Sequence, residues 1–165
     1  MMSRRMFWII GEVVALIIIV VLVVVLTPAK SQDGGSKKVV SQLSATQKTA
    51  ATKLIEANVK TFFDSSTSMN QRVSLLQNGT SFAPAMESEF TQLDSEKPSV
   101  VISSVTFTNR TTANVVYSVE LNAQPVLNHQ TGQAVLINNI WKVSDSTLCQ
   151  LLSLGGSTPS VCKNL

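Results

Sequence analysis

From Met6 to Leu26 the chain reads MFWIIGEVVALIIIVVLVVVL, an apolar run of 21 residues interrupted by a single charge, Glu12. About 20 apolar residues in a helix cross the hydrocarbon core of a bilayer. The run is longer than the ~7–15-residue core of a signal peptide. We therefore expect a retained membrane anchor: residues 1–5 as a cytoplasmic tail, 6–26 as one transmembrane helix, 27–43 as a linker, and 44–165 as one domain on the far side. Two other readings compete. The small residues of Thr27-Pro28-Ala29 could mark a cleavage site that leaves Lys30 as the first residue, and Ser3-Arg4-Arg5-Met6-Phe7 resembles a twin-arginine export signal. No cysteine follows the run closely enough for lipid attachment, because the only two are Cys149 and Cys162.

Orientation rests on the domain rather than on the flanking charge. Arg4 and Arg5 face Lys30, Lys37 and Lys38 across the run, so the positive-inside rule does not decide. The cysteines do: Cys149 in an expected helix and Cys162 near the end of the chain suit a short disulfide staple in an oxidising, extracytoplasmic compartment. The alternative is two free thiols. Glu12 is the unusual residue of the span. A carboxylate near the middle of a bilayer costs roughly 2.5–3.5 kcal/mol. Glu12 is thus a candidate contact with a polar group on another transmembrane helix; otherwise it is protonated, or snorkels to the cytoplasmic face.

The formal charge of +3 does not imply a nucleic-acid partner. From Ser44 onward there are eight basic and eight acidic residues, and the surplus lies beside the apolar run, where cations meet lipid phosphates. The bilayer is the expected partner.

Past the linker, with its Pro28, Gly34 and Gly35, periodicity reports the elements. Ala51, Leu54, Ile55, Val59, Phe62 and Phe63 form a one-sided stripe that predicts a helix capped by Ser44 and ended at Asp64. A second helix is expected over Ser68–Asn78, with Val73, Leu75 and Leu76 inward and Gly79 as its stop. A third is expected to start at Pro84, with Met86, Phe90 and Leu93 on one side. The pattern then turns β-branched. Strands are expected over Ser99–Asn109, Thr111–Ala123 (Val115, Tyr117, Val119 and Leu121 on one face), Gln133–Asn138 and Ile140–Ser144. Asn109-Arg110 and Asn138-Asn139 are the expected turns, and Asn128–Gly132 is expected to be a loop. Asp145 or Ser146 should cap a last helix, TLCQLLSL, stopped by Gly155-Gly156. Helices first and an antiparallel meander after them make an α+β fold. Curled around the first helix, such a sheet would resemble the cone of the nuclear-transport-factor-2-like superfamily. Its pocket would be lined by Phe62, Val105, Tyr117 and Trp141.

Catalytic chemistry is not evident. The single histidine, His129, falls in the polar Asn128–Gly132 stretch, and no Cys/His cluster has metal spacing. No phosphate-binding glycine loop or nucleophile elbow occurs. Glu87 and Glu89, two apart on a helix, do not share a face. Tyr117 and Trp141 read first as sheet and core aromatics. The expectation is a protein that is not an enzyme and carries no cofactor.

Ile140-Trp141-Lys142-Val143-Ser144, the following Ser146–Leu152 segment, Thr112-Ala113-Asn114-Val115 and Leu75-Leu76-Gln77-Asn78-Gly79 together resemble the C-terminal domain of the mycobacterial low-molecular-weight antigen family. The plan of anchor plus domain is similar to the Mce-associated membrane proteins of actinobacteria. That resemblance implies a plasma-membrane protein of the cell envelope with a periplasmic domain. It would be an accessory or scaffold subunit of a larger membrane complex, most specifically a Mce-type lipid importer. The alternative is a binding module for a small apolar ligand, and a cone-fold enzyme ranks below both.

Overall fold

The computed structural model describes residues 42–164. The expected span with Glu12, the N-terminal tail and nearly all of the linker lie outside these residues. Among the described residues no helix is long and apolar enough to cross a membrane.

The domain is α+β. Three helices, α1 (Ala45–Phe63), α2 (Met69–Leu75) and α3 (Gly79–Leu93), precede four strands, β1 (Pro98–Phe107), β2 (Thr112–Leu121), β3 (Gln124–Ile137) and β4 (Ile140–Val143); helix α4 (Asp145–Leu154) follows. The strands form one antiparallel sheet in the order β1-β2-β3-β4. Each connection is a hairpin.

Helix α1 starts where its cap predicts. Ser44 Oγ accepts the Gln47 N–H at 3.3 Å, while Gln47 Oε1 accepts the Ser44 N–H at 2.9 Å, a reciprocal capping box. Ala51, Ile55, Val59, Phe62 and Phe63 are buried. Leu54 is not part of that face: it is 54% exposed, because the buried line runs through 51, 55 and 59 and leaves 54 on the flank. The helix lies on β1 and β4. Asn58 Nδ2 donates to the Trp141 carbonyl at 2.8 Å, tying α1 to β4.

The second and third helices correct the sequence reading. The second helix begins where expected to within a residue, with Ser68 as its cap, but it ends at Leu75. Leu76 turns extended, bridges to Val143 and becomes fully buried, and the Gln77 N–H donates to the Val143 carbonyl at 2.9 Å. Gly79 therefore does not stop α2. It opens α3, and it is glycine because a Cβ there would lie 1.9 Å from the Val73 carbonyl oxygen. Pro84 sits inside α3 rather than at its start. One backbone bond of the second turn is lost, and Phe82 joins Met86 and Phe90 in the core.

Strand β3 is the larger correction: it begins at Gln124, so the expected Asn128–Gly132 loop is strand. Its first half shows no apolar alternation, since Gln124, Pro125, Val126, Asn128 and His129 all face solvent. Pairing with β2, through Val119↔Leu127 and Tyr117↔Gln130, makes it a strand. Register shifts interrupt the pairing there, and His129 takes a positive φ of 51°. The Asn138-Asn139 turn is as expected, with φ of 51° and 62°. Asn122-Ala123 turns β2 into β3 the same way, with φ of 51° and 61°. The last helix is capped by Ser144, not Asp145 or Ser146: Ser144 Oγ accepts the Thr147 N–H at 3.2 Å. Cys149 and Cys162 form a disulfide with a Cα–Cα distance of 5.5 Å, and the Ser157 N–H donates to the Leu152 carbonyl at 2.8 Å. The end of the chain thereby folds back on α4.

Two buried charges brace the joins. Arg72, 1% exposed, reaches Asp94 with two bonds (2.9 and 2.7 Å) and the Asp64 carbonyl with a third (2.6 Å), its guanidinium 4.4 Å above the Phe90 ring. Asp145, 2% exposed, accepts from the Asn78 N–H at 3.0 Å and from Asn78 Nδ2.

Candidate functional site

Where α3, the β2–β3 hairpin and α4 converge, the packing leaves an open cleft of about 560 Å³. That volume lies within the range of small-molecule sites. Each wall follows from an amphipathic period. On α3, Phe90 and Leu93 face inward; on α4, Leu148, Leu151 and Leu152 do; the hairpin adds Val119, Leu121 and Leu127. Phe63 closes the α1 side, its ring 5.3 Å from Phe62, and the buried Leu148 continues into the core. At the mouth, Val126 (49%) and Leu154 (52%) expose apolar surface to water.

The polar groups of the cleft all come from one edge. Glu89, Gln92 and Glu96 lie at i, i+3 and i+7 along α3 and the 3₁₀ turn Asp94–Glu96 that extends it. Glu89 Oε1 accepts from Ser157 Oγ at 2.6 Å, and Glu96 Oε2 accepts from Asn122 Nδ2 at 2.7 Å. These two bonds fasten the C-terminal segment and the β2–β3 turn around the rim. The arrangement suits holding an apolar chain; a base next to a nucleophile is not among its lining groups.

The residues expected to line a pocket lie elsewhere. Phe62 is fully buried and stacks edge-on against Phe63 and Phe90. Trp141 is buried against Phe107, and Tyr117 against Phe63. Burial pushes the Tyr117 phenol up to about 12. The space beside Tyr117 is a void of about 10 Å³, no larger than one water. Val105 lines a separate, more polar groove against Lys48, Lys53 and Glu56 of α1. His129 is exposed on β3, and Glu12 lies outside the described residues. The cleft was therefore missed in the sequence, although the Leu148–Leu154 leucines and the Glu89/Gln92/Glu96 spacing were both there to be read.

The cysteine pair meets the expectation of a staple, and it closes on the helix that forms one cleft wall. Among the described residues no group of histidine, cysteine and carboxylate side chains is placed to hold a metal ion.

Residues 48–159 match the family described as the low molecular weight antigen MTB12, C-terminal domain. The match runs from α1 to beyond α4 and contains every element of the cleft. No curated protein matches the chain.

Proposed function

The chain belongs to the low molecular weight antigen MTB12 C-terminal domain family, and from that premise we propose that it is a non-enzymatic, membrane-anchored envelope protein whose extracytoplasmic domain binds an apolar chain. Its most specific form is an accessory subunit of an actinobacterial Mce-type lipid importer in the plasma membrane. The apolar cleft carries this reading: about 560 Å³, walled by leucine, phenylalanine and valine, open at a mouth that leaves Val126 and Leu154 wet. Exposed apolar surface rimmed by polar groups is characteristic of ligand or partner sites. The apolar run Met6–Leu26 and the Cys149–Cys162 bridge support the anchored, extracytoplasmic placement. The same cleft would equally serve a stand-alone lipid binder, the second reading.

Copurification from native membranes in mild detergent, with lipid analysis of the eluate, separates the two. A stoichiometric membrane partner together with bound lipid is the expected result; lipid without a partner selects the stand-alone binder. Val126→Glu and Leu154→Glu change exposed positions and should remove the lipid while leaving the fold intact. Glu12→Gln should keep the protein in the membrane but weaken the partner. Recovery of neither lipid nor partner with the wild-type chain would overturn both readings.

A further inference from the structure

We infer that the cleft selects amphiphiles by head-group charge, taking a single alkyl chain that carries an ammonium head and discriminating against an anionic one. The inference rests on the binding reading above and deepens it. An apolar wall sets no preference between heads of opposite sign; the rim does. Its two ionisable groups are the carboxylates of Glu89 and Glu96, with Gln92 between them, and no lysine or arginine lines the cleft. Among the described residues the single salt bridge is Arg72–Asp94, so neither rim carboxylate is neutralised by an ion pair.

The existing hydrogen bonds hold the carboxylates in place without using them up. Glu89 receives Ser157 on Oε1, and Glu96 receives Asn122 on Oε2. A carboxylate has about four acceptor sites on its two oxygens, so each retains capacity toward an N–H donor at the mouth. Leu151 and Leu152 of α4 would hold the chain beneath, as the cleft lining places them opposite α3. A fatty-acid carboxylate seated the same way would bring a third negative charge to a rim that offers it no cation. Exposure limits the effect, since Glu89 is half-buried and Glu96 is exposed. Pairs at such sites are worth up to about a five-fold change in affinity each, and salt screens them.

The test uses the full chain in phosphatidylcholine proteoliposomes and two photoreactive dodecyl probes of equal length, one with an ammonium head and one with a carboxylate. Labelling of peptides carrying Leu148–Leu154 is quantified by mass spectrometry. Because the probes partition differently into lipid, the readout is the ammonium-to-carboxylate labelling ratio of wild type divided by that of the Glu89→Gln/Glu96→Gln variant. We expect that quotient to be about five or more at low salt and to shrink toward one at high salt. A quotient of one, with both probes labelling the cleft, overturns the charge selectivity and leaves the binding reading intact. Absence of cleft labelling by either probe in the wild type overturns the binding reading itself.

Discussion

Removing Asp94 should damage this domain more than removing Arg72, although the two form one ion pair. The difference follows from where each charge is left behind. Arg72 is 1% exposed, whereas the Asp94 side chain is 31% exposed. In Asp94→Ala the guanidinium keeps the Asp64 carbonyl, the more distant Asp64 carboxylate and the Phe90 face, but loses the one anion that pairs with it directly. Stranding a buried charge costs about 3–5 kcal/mol. That is a large share of the ~5–15 kcal/mol that holds a typical domain folded. In Arg72→Met the thioether fills much of the stem's volume and the carboxylate rehydrates at the surface. Its cost should be nearer the ~1–3 kcal/mol of a lost charged hydrogen-bond partner. The double variant removes the stranded cation and should be at least as stable as Asp94→Ala alone, giving a favourable coupling term in a double-mutant cycle. Urea unfolding followed by Trp141 fluorescence, on chains expressed from Gln42, supplies the four midpoints, wild type included. If Asp94→Ala costs under about 1 kcal/mol, or if it is milder than Arg72→Met, the electrostatic account of the knot is wrong.

Two further outcomes follow from single residues. Tyr117 is the sole tyrosine, and its phenol is held up at about 12 by burial. The unfolded chain ionises near pH 10 while the native one keeps its proton, so stability should decline from about pH 10 toward pH 12, by at most roughly 3 kcal/mol. A phenolate absorbance titration centred near 10 in a still-folded domain would contradict this. Breaking the Cys149–Cys162 bridge with Cys162→Ser should cost on the order of 3 kcal/mol, from the short loop it closes. Intact-mass analysis with and without reductant verifies the bridge first, and an unchanged urea midpoint in the variant would show that it contributes nothing.

Much of the domain was legible wherever neighbours in sequence make the decision. Ser44 and Gln47 close a cap within four residues, and Asn138-Asn139 needs only two left-handed residues to make a turn. The spacings of Ala51, Ile55 and Val59, and the alternation of Val115, Tyr117 and Val119, put burial on one face whatever lies opposite. The order of elements, the α+β class and the cysteine staple came from such local signals. The Met6–Leu26 run likewise states its preference for hydrocarbon without any tertiary partner.

Partners distant along the chain decided the rest. The first half of β3 became strand because β2 offered it backbone bonds, something a polar, non-alternating segment does not advertise. Gly79 changed from a helix stop to a helix start because Leu76 is drawn out to pair with Val143 and the Val73 carbonyl then fills the space of a Cβ. Phe62, Tyr117 and Trp141 are aromatic enough to line a pocket, but they are buried against Phe90, Phe63 and Phe107 from neighbouring elements. The cleft lies instead where α3, α4 and the β2–β3 hairpin fail to meet. Amphipathic period tells each helix which face turns inward; only the assembled packing determines whether that face meets another side chain or leaves a space.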